Sequence, residues 1–228
     1  MCGIIGIVGK SDVQNRLVES LLRLEYRGYD SAGVAGVTAQ GQVVRRRAQG
    51  KIRALQDVLM ADPLVAQVGI GHTRWATHGA PSERNAHPHT AGRVTLVHNG
   101  IIENFAELRR ELEAQGRTFS SETDTEVIAQ LMDWQLEAGL VPLAALKATL
   151  DRLTGAFALA VLVAGEDGAI LGARRGSPLV VGYGEGEMFL GSDALAVGPF
   201  TKRVAYLEEG DFVRIDHGKA EIFDAAGE

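Results

Sequence analysis

The sequence predicts an α+β domain with largely antiparallel sheets. Two observations carry this: apolar strand-like runs cluster at both ends of the chain, and most helical periodicities lie between them. A third is composition, 46% hydrophobic and 23% charged over 228 residues, as in an ordinary folded domain. One large core is feasible at this length.

Residues 3 to 9, Gly-Ile-Ile-Gly-Ile-Val-Gly, read as a strand buried from its first residue, which anchors position 2. Ser11 or Asp12 can cap a helix with Val13, Leu17, Leu21 and Leu24 on its apolar face, ending at the Arg27-Gly28 turn. Ala32 to Thr38 and Val43 to Ala48 flank Gln40-Gly41 as a hairpin, and the second strand carries the basic run Arg45 to Arg47. Val68 to Trp75 is a further strand, and Ala76 to Gly92 reads as an ordered loop. Arg93 to His98 is expected to be a strand ending at Asn99-Gly100. Phe105, Leu108 and Leu112 then mark a helix closed by Gly116. Thr123 with Glu126 fits a capping box opening the longest helix, whose stripe is Val127, Ile128, Leu131 and Leu136. Pro142 starts another helix, running through Leu153. Six strands follow: Phe157 to Ala164, Ala169 to Arg174, Pro178 to Tyr183, Met188 to Ser192, Arg203 to Leu207 and Phe212 to Ile215.

Several functions are excluded or disfavoured. A net charge of -6 leaves no basic excess to drive binding to a phosphate backbone, so nucleic acid is not an expected partner. No apolar run approaches the ~20 residues of a membrane span, and the N-terminus lacks a secretory signal, which makes the cytoplasm the default address. One cysteine permits no internal disulfide and no thiolate metal cluster. Gly9-Lys10-Ser11 lacks the earlier glycine of a phosphate loop, and Gly69-Ile70-Gly71 lacks the final glycine of a dinucleotide fingerprint. The histidines between His72 and His98 form no recognised ligand spacing, so neither a metal nor another cofactor is expected.

Cys2 is the chemically pointed residue. A lone cysteine is commonly a small buried hydrophobe. If Met1 is removed, however, Cys2 carries a thiol and a free α-amine, a nucleophile and a base in one residue. While Met1 stays attached that nitrogen is an amide and cannot act as base. Asn99-Gly100 is by itself a hairpin signal, yet its side-chain amide and main-chain N–H could converge on an oxyanion. Arg74 and Asp124 could together hold an α-amino acid, although Asp124 also suits a first helical turn without any ligand. Trp75 reads equally as core aromatic or lid.

Taken in order, Cys2-Gly-Ile-Ile-Gly6, Leu24-Glu-Tyr-Arg-Gly-Tyr-Asp-Ser-Ala-Gly33, His72-Thr-Arg-Trp-Ala-Thr-His-Gly79, Asn85-Ala-His-Pro-His89, His98-Asn-Gly-Ile-Ile-Glu-Asn104 and Ser121-Glu-Thr-Asp-Thr-Glu126 resemble the glutaminase domains of the class II glutamine amidotransferases. The Tyr-Arg-Gly-Tyr-Asp-Ser and Thr-Arg-Trp-Ala-Thr-His forms resemble, within that class, the glutamine:fructose-6-phosphate aminotransferases. Weaker matches at Ser177-Pro-Leu-Val180, Gly191-Ser-Asp193 and Leu207-Glu-Glu-Gly-Asp211 carry the likeness over nearly the whole chain.

The resemblance implies an N-terminal-nucleophile hydrolase fold, a four-layer αββα sandwich of two mostly antiparallel sheets, with residues 1–228 forming one glutaminase domain. It implies that Cys2 attacks L-glutamine and passes through a γ-glutamyl thioester. Asn99 and Gly100 would form the oxyanion hole. Arg74, Thr77 and His78 would hold the α-carboxylate, and Gly100 and Asp124 the α-amine. Trp75 would gate the ammonia passage, with Arg27 and Gly28 on a turn near the nucleophile and His87 structural with a possible loop function. It also implies a partner absent from this chain, a sugar isomerase half that binds fructose 6-phosphate, in a homodimeric full-length enzyme. Another class II amidotransferase, or a catalytically silent glutamine-sensing or scaffold domain, are the rival readings.

Overall fold

In the computed structural model, residues 2–76, 79–166 and 168–228 are described, Arg27 by its main chain alone. The N-terminal apolar run becomes β1 (Gly3–Val8), buried along its whole length. Its side chains alternate between two cores, with Ile5 and Ile7 on one face and Ile4 and Val8 on the other. A strand covered on both faces needs no polar positions, which is why the run reads as continuous rather than alternating.

Elements follow in the order α1 (Gln14–Leu24), a 3₁₀ turn at Glu25–Arg27, β2 (Ser31–Val37), β3 (Val43–Gln49), α2 (Ile52–Ala61), β4 (Val68–Arg74), β5 (His89–Ala91), β6 (Val94–Ile102) and α3 (Phe105–Ala114). Then come α4 (Asp124–Glu137), α5 (Pro142–Leu150), β7 (Gly155–Val163), β8 (Ile170–Arg175), β9 (Val180–Tyr183), β10 (Met188–Gly191), α6 (Ala194–Val197), β11 (Val204–Tyr206), β12 (Phe212–Ile215) and β13 (Ala220–Phe223). A seven-stranded sheet has the order β11-β9-β10-β1-β4-β2-β3, and a six-stranded sheet β13-β12-β8-β7-β6-β5. Neighbouring strands are antiparallel throughout both.

Three cores turn these sheets into four layers. The helices α1, α2 and α6 pack Leu17, Leu21, Leu55 and Ala196 against Ile5, Ile7 and Val34 of the first sheet. Ile4, Val8 and Ile70 meet Val97, Ala158, Ala160 and Leu162 between the sheets. On the far side, α3, α4 and α5 cover Leu96, Leu159 and Val161. Each fully buried aliphatic side chain contributes about 1.5–3 kcal/mol by leaving water, so the layers are held chiefly by these cores.

The expected α+β sandwich is therefore present, with local corrections. The last of the long helices, α5, stops at Leu150 rather than Leu153. The stretch expected to be loop from Ala76 to Gly92 ends in a short strand, β5. More consequential for the site, β6 does not end at His98. It continues to Ile102, pairing Asn99 with Ala158 and Gly100 with Phe157 on β7, so Asn99-Gly100 lies inside a strand and is not a hairpin turn. The elements α2, α6 and β13 were not anticipated; the first has a legible signal in Ile52, Leu55 and Leu59, all buried at helical spacing. Among the described residues no helix is long and apolar enough to cross a membrane.

Candidate active site

Cys2 stands just before β1. In the ladder between β1 and β4, Gly3 faces Thr73. Beyond that rung the cysteine sulfur takes the place of main chain: Trp75 N–H donates to Sγ at 3.2 Å, and the thiol donates to Trp75 O at 3.5 Å. The Cys2 carbonyl accepts from Asn99 Nδ2 at 3.1 Å, tying the start of the first sheet to β6 of the second. Burial raises the thiol pKa above its ordinary value, a rise opposed by the Trp75 N–H and the Arg74 charge and reinforced by Asp30. A thiol so placed needs a base to become a nucleophile.

Beside it lies a narrow cavity lined by Cys2, Arg74, Trp75, His87, His98, Gly100, Thr123, Asp124 and Thr125. A larger open groove between α1 and α6, lined by Arg23, Leu195 and Lys202 among others, has no cysteine, histidine or carboxylate in its lining. The smaller cavity, which brings Cys2, Arg74 and Asp124 together, is the candidate site. Asn99 sits behind its wall, 9% exposed. Gly100 has φ +120°, and a Cβ there would stand 2.0 Å from Ala156 O, so only glycine lets β6 pass β7 with its main chain open to the cavity.

The opposite wall is the N-terminus of α4. Thr123 caps it by accepting from Glu126 N, as the sequence implies. The expected capping box is only half made, because the Glu126 carboxylate turns instead to the N–H groups of Ser120 and Ser121. Asp124 follows, buried, with Oδ2 accepting from Ile102 N at 2.8 Å. That bond fixes the carboxylate two residues past Gly100.

Arg74 ends β4 and is 3% exposed. Its guanidinium pairs with Asp30 at 3.4 Å and donates to Gly79 O at 3.0 Å and Ala80 O at 3.5 Å. Asp30, to which the sequence assigned no role, also accepts from Ser31 Oγ and from Ala76 N, so one carboxylate holds both the arginine and the chain leaving Trp75. Trp75 is 56% exposed. Its ring lies over Gly28, where a Cβ would meet Cε3 at 2.3 Å. The turn carrying Arg27 and Gly28 thus packs against Trp75, whose main chain meets the Cys2 sulfur. Met1, Thr77 and His78 lie outside the described residues.

His87 forms part of the cavity wall. Its Nδ1 accepts from His98 N at 3.2 Å, and its Nε2 meets Thr125 Oγ1 at 3.3 Å. Its ring stacks on His72 with centroids 4.0 Å apart, and His89 stands edge-on at 4.9 Å. Burial keeps all three neutral: His72 is lowered to about 3, and His87 and His89 well below their ordinary value. Two residues of the basic run on β3 act here, Arg45 donating to Pro88 O and Arg47 to Arg84 O and Ala86 O, which clamps the segment that carries these rings, while Arg46 turns to Asp62. Desolvation lowers the Arg47 pKa to about 10. Among the described residues no cluster of side chains is arranged to hold a metal ion.

Comparison with known proteins matches the sequence to a family. Residues 72–198 match the family described as the glutamine amidotransferase domain. Over 227 residues the chain is 75% identical to a glutamine–fructose-6-phosphate aminotransferase (isomerizing) of Caulobacter vibrioides, covering 100% of this chain and 37% of that protein. It is 56% identical to the enzyme of the same name from Gluconobacter oxydans, with the same coverage. The chain thus spans little more than a third of the length of these relatives. Among solved structures, the Bacillus subtilis glutamine phosphoribosylpyrophosphate amidotransferase superposes with a TM-score of 0.82 at 25% identity, over 98% of this chain and 49% of that one. A structure described as the allosteric regulatory enzyme of purine biosynthesis superposes with a TM-score of 0.85 at 24% identity, over the same shares, and shares the fold.

Proposed function

The chain belongs to the glutamine amidotransferase domain family, and on that premise we propose that it hydrolyses L-glutamine to L-glutamate and ammonia through a thioester on Cys2. The observation that carries the reading is a sulfur fixed by both main-chain groups of Trp75 at the edge of a small cavity that also holds Arg74, Gly100 and Asp124.

After removal of Met1, the α-amine of Cys2 accepts the thiol proton and the sulfur attacks the glutamine Cδ. Asn99 Nδ2 and the Gly100 N–H receive the developing oxyanion. The C–N bond then breaks, ammonia leaves with the transferred proton, and water cleaves the γ-glutamyl thioester to restore the thiol. Arg74, Thr77 and His78 hold the substrate α-carboxylate; Gly100 and the remaining oxygen of Asp124 hold its α-amine. Trp75, seated on Gly28 beside Arg27, gates the passage of ammonia, and His87 supports the wall. In the longer protein, ammonia passes to a sugar isomerase part and converts fructose 6-phosphate to glucosamine 6-phosphate, in a cytoplasmic homodimer. The names of the relatives from Caulobacter vibrioides and Gluconobacter oxydans support this acceptor.

The test is glutamate release by protein whose intact mass proves Met1 removed, against Cys2→Ala. Activity is expected only in the former. Equal rates would eliminate the nucleophile.

A further inference from the structure

His72 is fully buried on β4, far from any solvent-exposed role, yet it does not behave as a space-filling ring. Its Nε2 lies 3.0 Å from His98 O and 3.0 Å from Asn99 Oδ1. A main-chain carbonyl only accepts, so Nε2 must carry the hydrogen. The ring is neutral, which leaves Nδ1 bare, and that atom is buried without a hydrogen-bond partner among the described residues. Leaving a buried acceptor unsatisfied is unfavourable, and an apolar ring of the same size would stack on His87 without that penalty. The position therefore uses a donor on one side at a cost on the other.

What the donor does is visible at Asn99. Its carboxamide has two ends that sterics barely distinguish, one donating and one accepting. Here Oδ1 takes the hydrogen from His72, and Nδ2 gives one of its two hydrogens to the Cys2 carbonyl. Turned over, the amide would set an oxygen against the Cys2 carbonyl oxygen and against any oxyanion forming beside the thiol. Resting on the glutaminase reading above, we infer that His72 is a positioning residue: its Nε2–H fixes the rotation of the Asn99 carboxamide, so that one amide hydrogen secures Cys2 and the second remains for the oxyanion.

The test uses processed protein and His72→Phe, which keeps a stacking ring and removes the donor. Its kcat is expected to fall about tenfold to a hundredfold, with the KM for glutamine within about twofold, because the oxyanion exists only along the reaction path. Combining it with Asn99→Ala should add little to the loss from Asn99→Ala alone, since both remove one interaction. A second readout separates orientation from general damage. In glutamate 5-semialdehyde the thiol sulfur adds to the aldehyde carbon and the thiol proton passes to its oxygen, which needs the same donors; glutamate forms no such adduct. Affinity for the aldehyde should fall by the factor lost from kcat while affinity for glutamate stays. His72→Gln, which retains an N–H donor on a flexible arm, should have an aldehyde-to-glutamate affinity ratio between those of the parent and Asn99→Ala, and it decides the matter if the phenylalanine variant does not fold. Parental kcat in a folded His72→Phe, multiplicative losses in the double variant, or a parental ratio in His72→Gln each overturn the inference. If Cys2→Ala abolishes activity in the same experiment, such a result removes His72 alone; if it does not, the glutaminase reading itself fails.

Discussion

A single hydrogen atom's worth of space decides position 100. At φ +120° any side chain is strained, and the Cβ would press on Ala156 O across the β6–β7 ladder. Strain and overpacking each cost a few kcal/mol at most, so Gly100→Ala should lose about 2–4 kcal/mol of stability in urea unfolding. A loss below about 0.5 kcal/mol would mean that the strands part easily here. Arg74 is constrained differently, by what its fork touches. Arg74→Lys keeps a positive charge near the Cys2 thiol but gives up planar, two-pronged donation to a carboxylate. If the guanidinium holds ground state and transition state alike, KM for glutamine should rise about tenfold with kcat within about threefold. A fall in kcat at unchanged KM would place the arginine in the chemical step instead.

At the scale of elements, α4 does two jobs with one cap. Thr123 Oγ1 accepts from Glu126 N and also meets His89 Nε2 at 3.2 Å, so the hydroxyl both starts the helix and holds it to β5. Thr123→Ala should cost about 1–2 kcal/mol and Thr123→Ser much less, measured as shifts in the urea midpoint. Equal losses in the two variants would show that the methyl group, not the hydroxyl, matters. This helix was legible because cap and stripe are local, and β1 was legible because both of its faces are apolar. The end of β6 is not legible in this way, since Asn-Gly is a strong local turn signal and only pairing with β7, some sixty residues away, keeps the chain extended. The same reason governs the site. Cys2, Arg74 and Asp124 announce themselves by residue type and by motif. Asp30 and His72 do not, because their roles come from partners such as Ala76 and Asn99 brought near only by folding.

The whole molecule stakes part of its stability on keeping the ring cluster between the sheets and α4 uncharged. His72 is lowered to about 3 and His87 and His89 well below their ordinary value, in each case chiefly by burial, with Arg74 beside all three and Arg45 and Arg47 beside His89 adding repulsion. In the unfolded chain the same imidazoles titrate near ~6.5. Above that pH both states hold the rings neutral and the full stability is present. As pH falls below it, the unfolded chain binds protons that the folded chain refuses, so stability declines, and it continues to decline until the folded pKa is reached. Each such histidine contributes up to about 1.4 kcal/mol per pH unit in that window, and between about pH 6.5 and 5 carboxylates titrate little, so the histidines dominate the slope. The urea midpoint should therefore be nearly level from pH 8 to 7 and fall steeply from 6.5 to 5. His89→Gln, which retains a polar group near Thr123 but takes up no proton, should reduce that slope by about one histidine's share. A midpoint that stays level down to pH 5, or a slope untouched by His89→Gln, would mean that protons enter the cluster without unfolding it, and the neutral packing of these rings would no longer account for how the two sheets and α4 are held around Cys2.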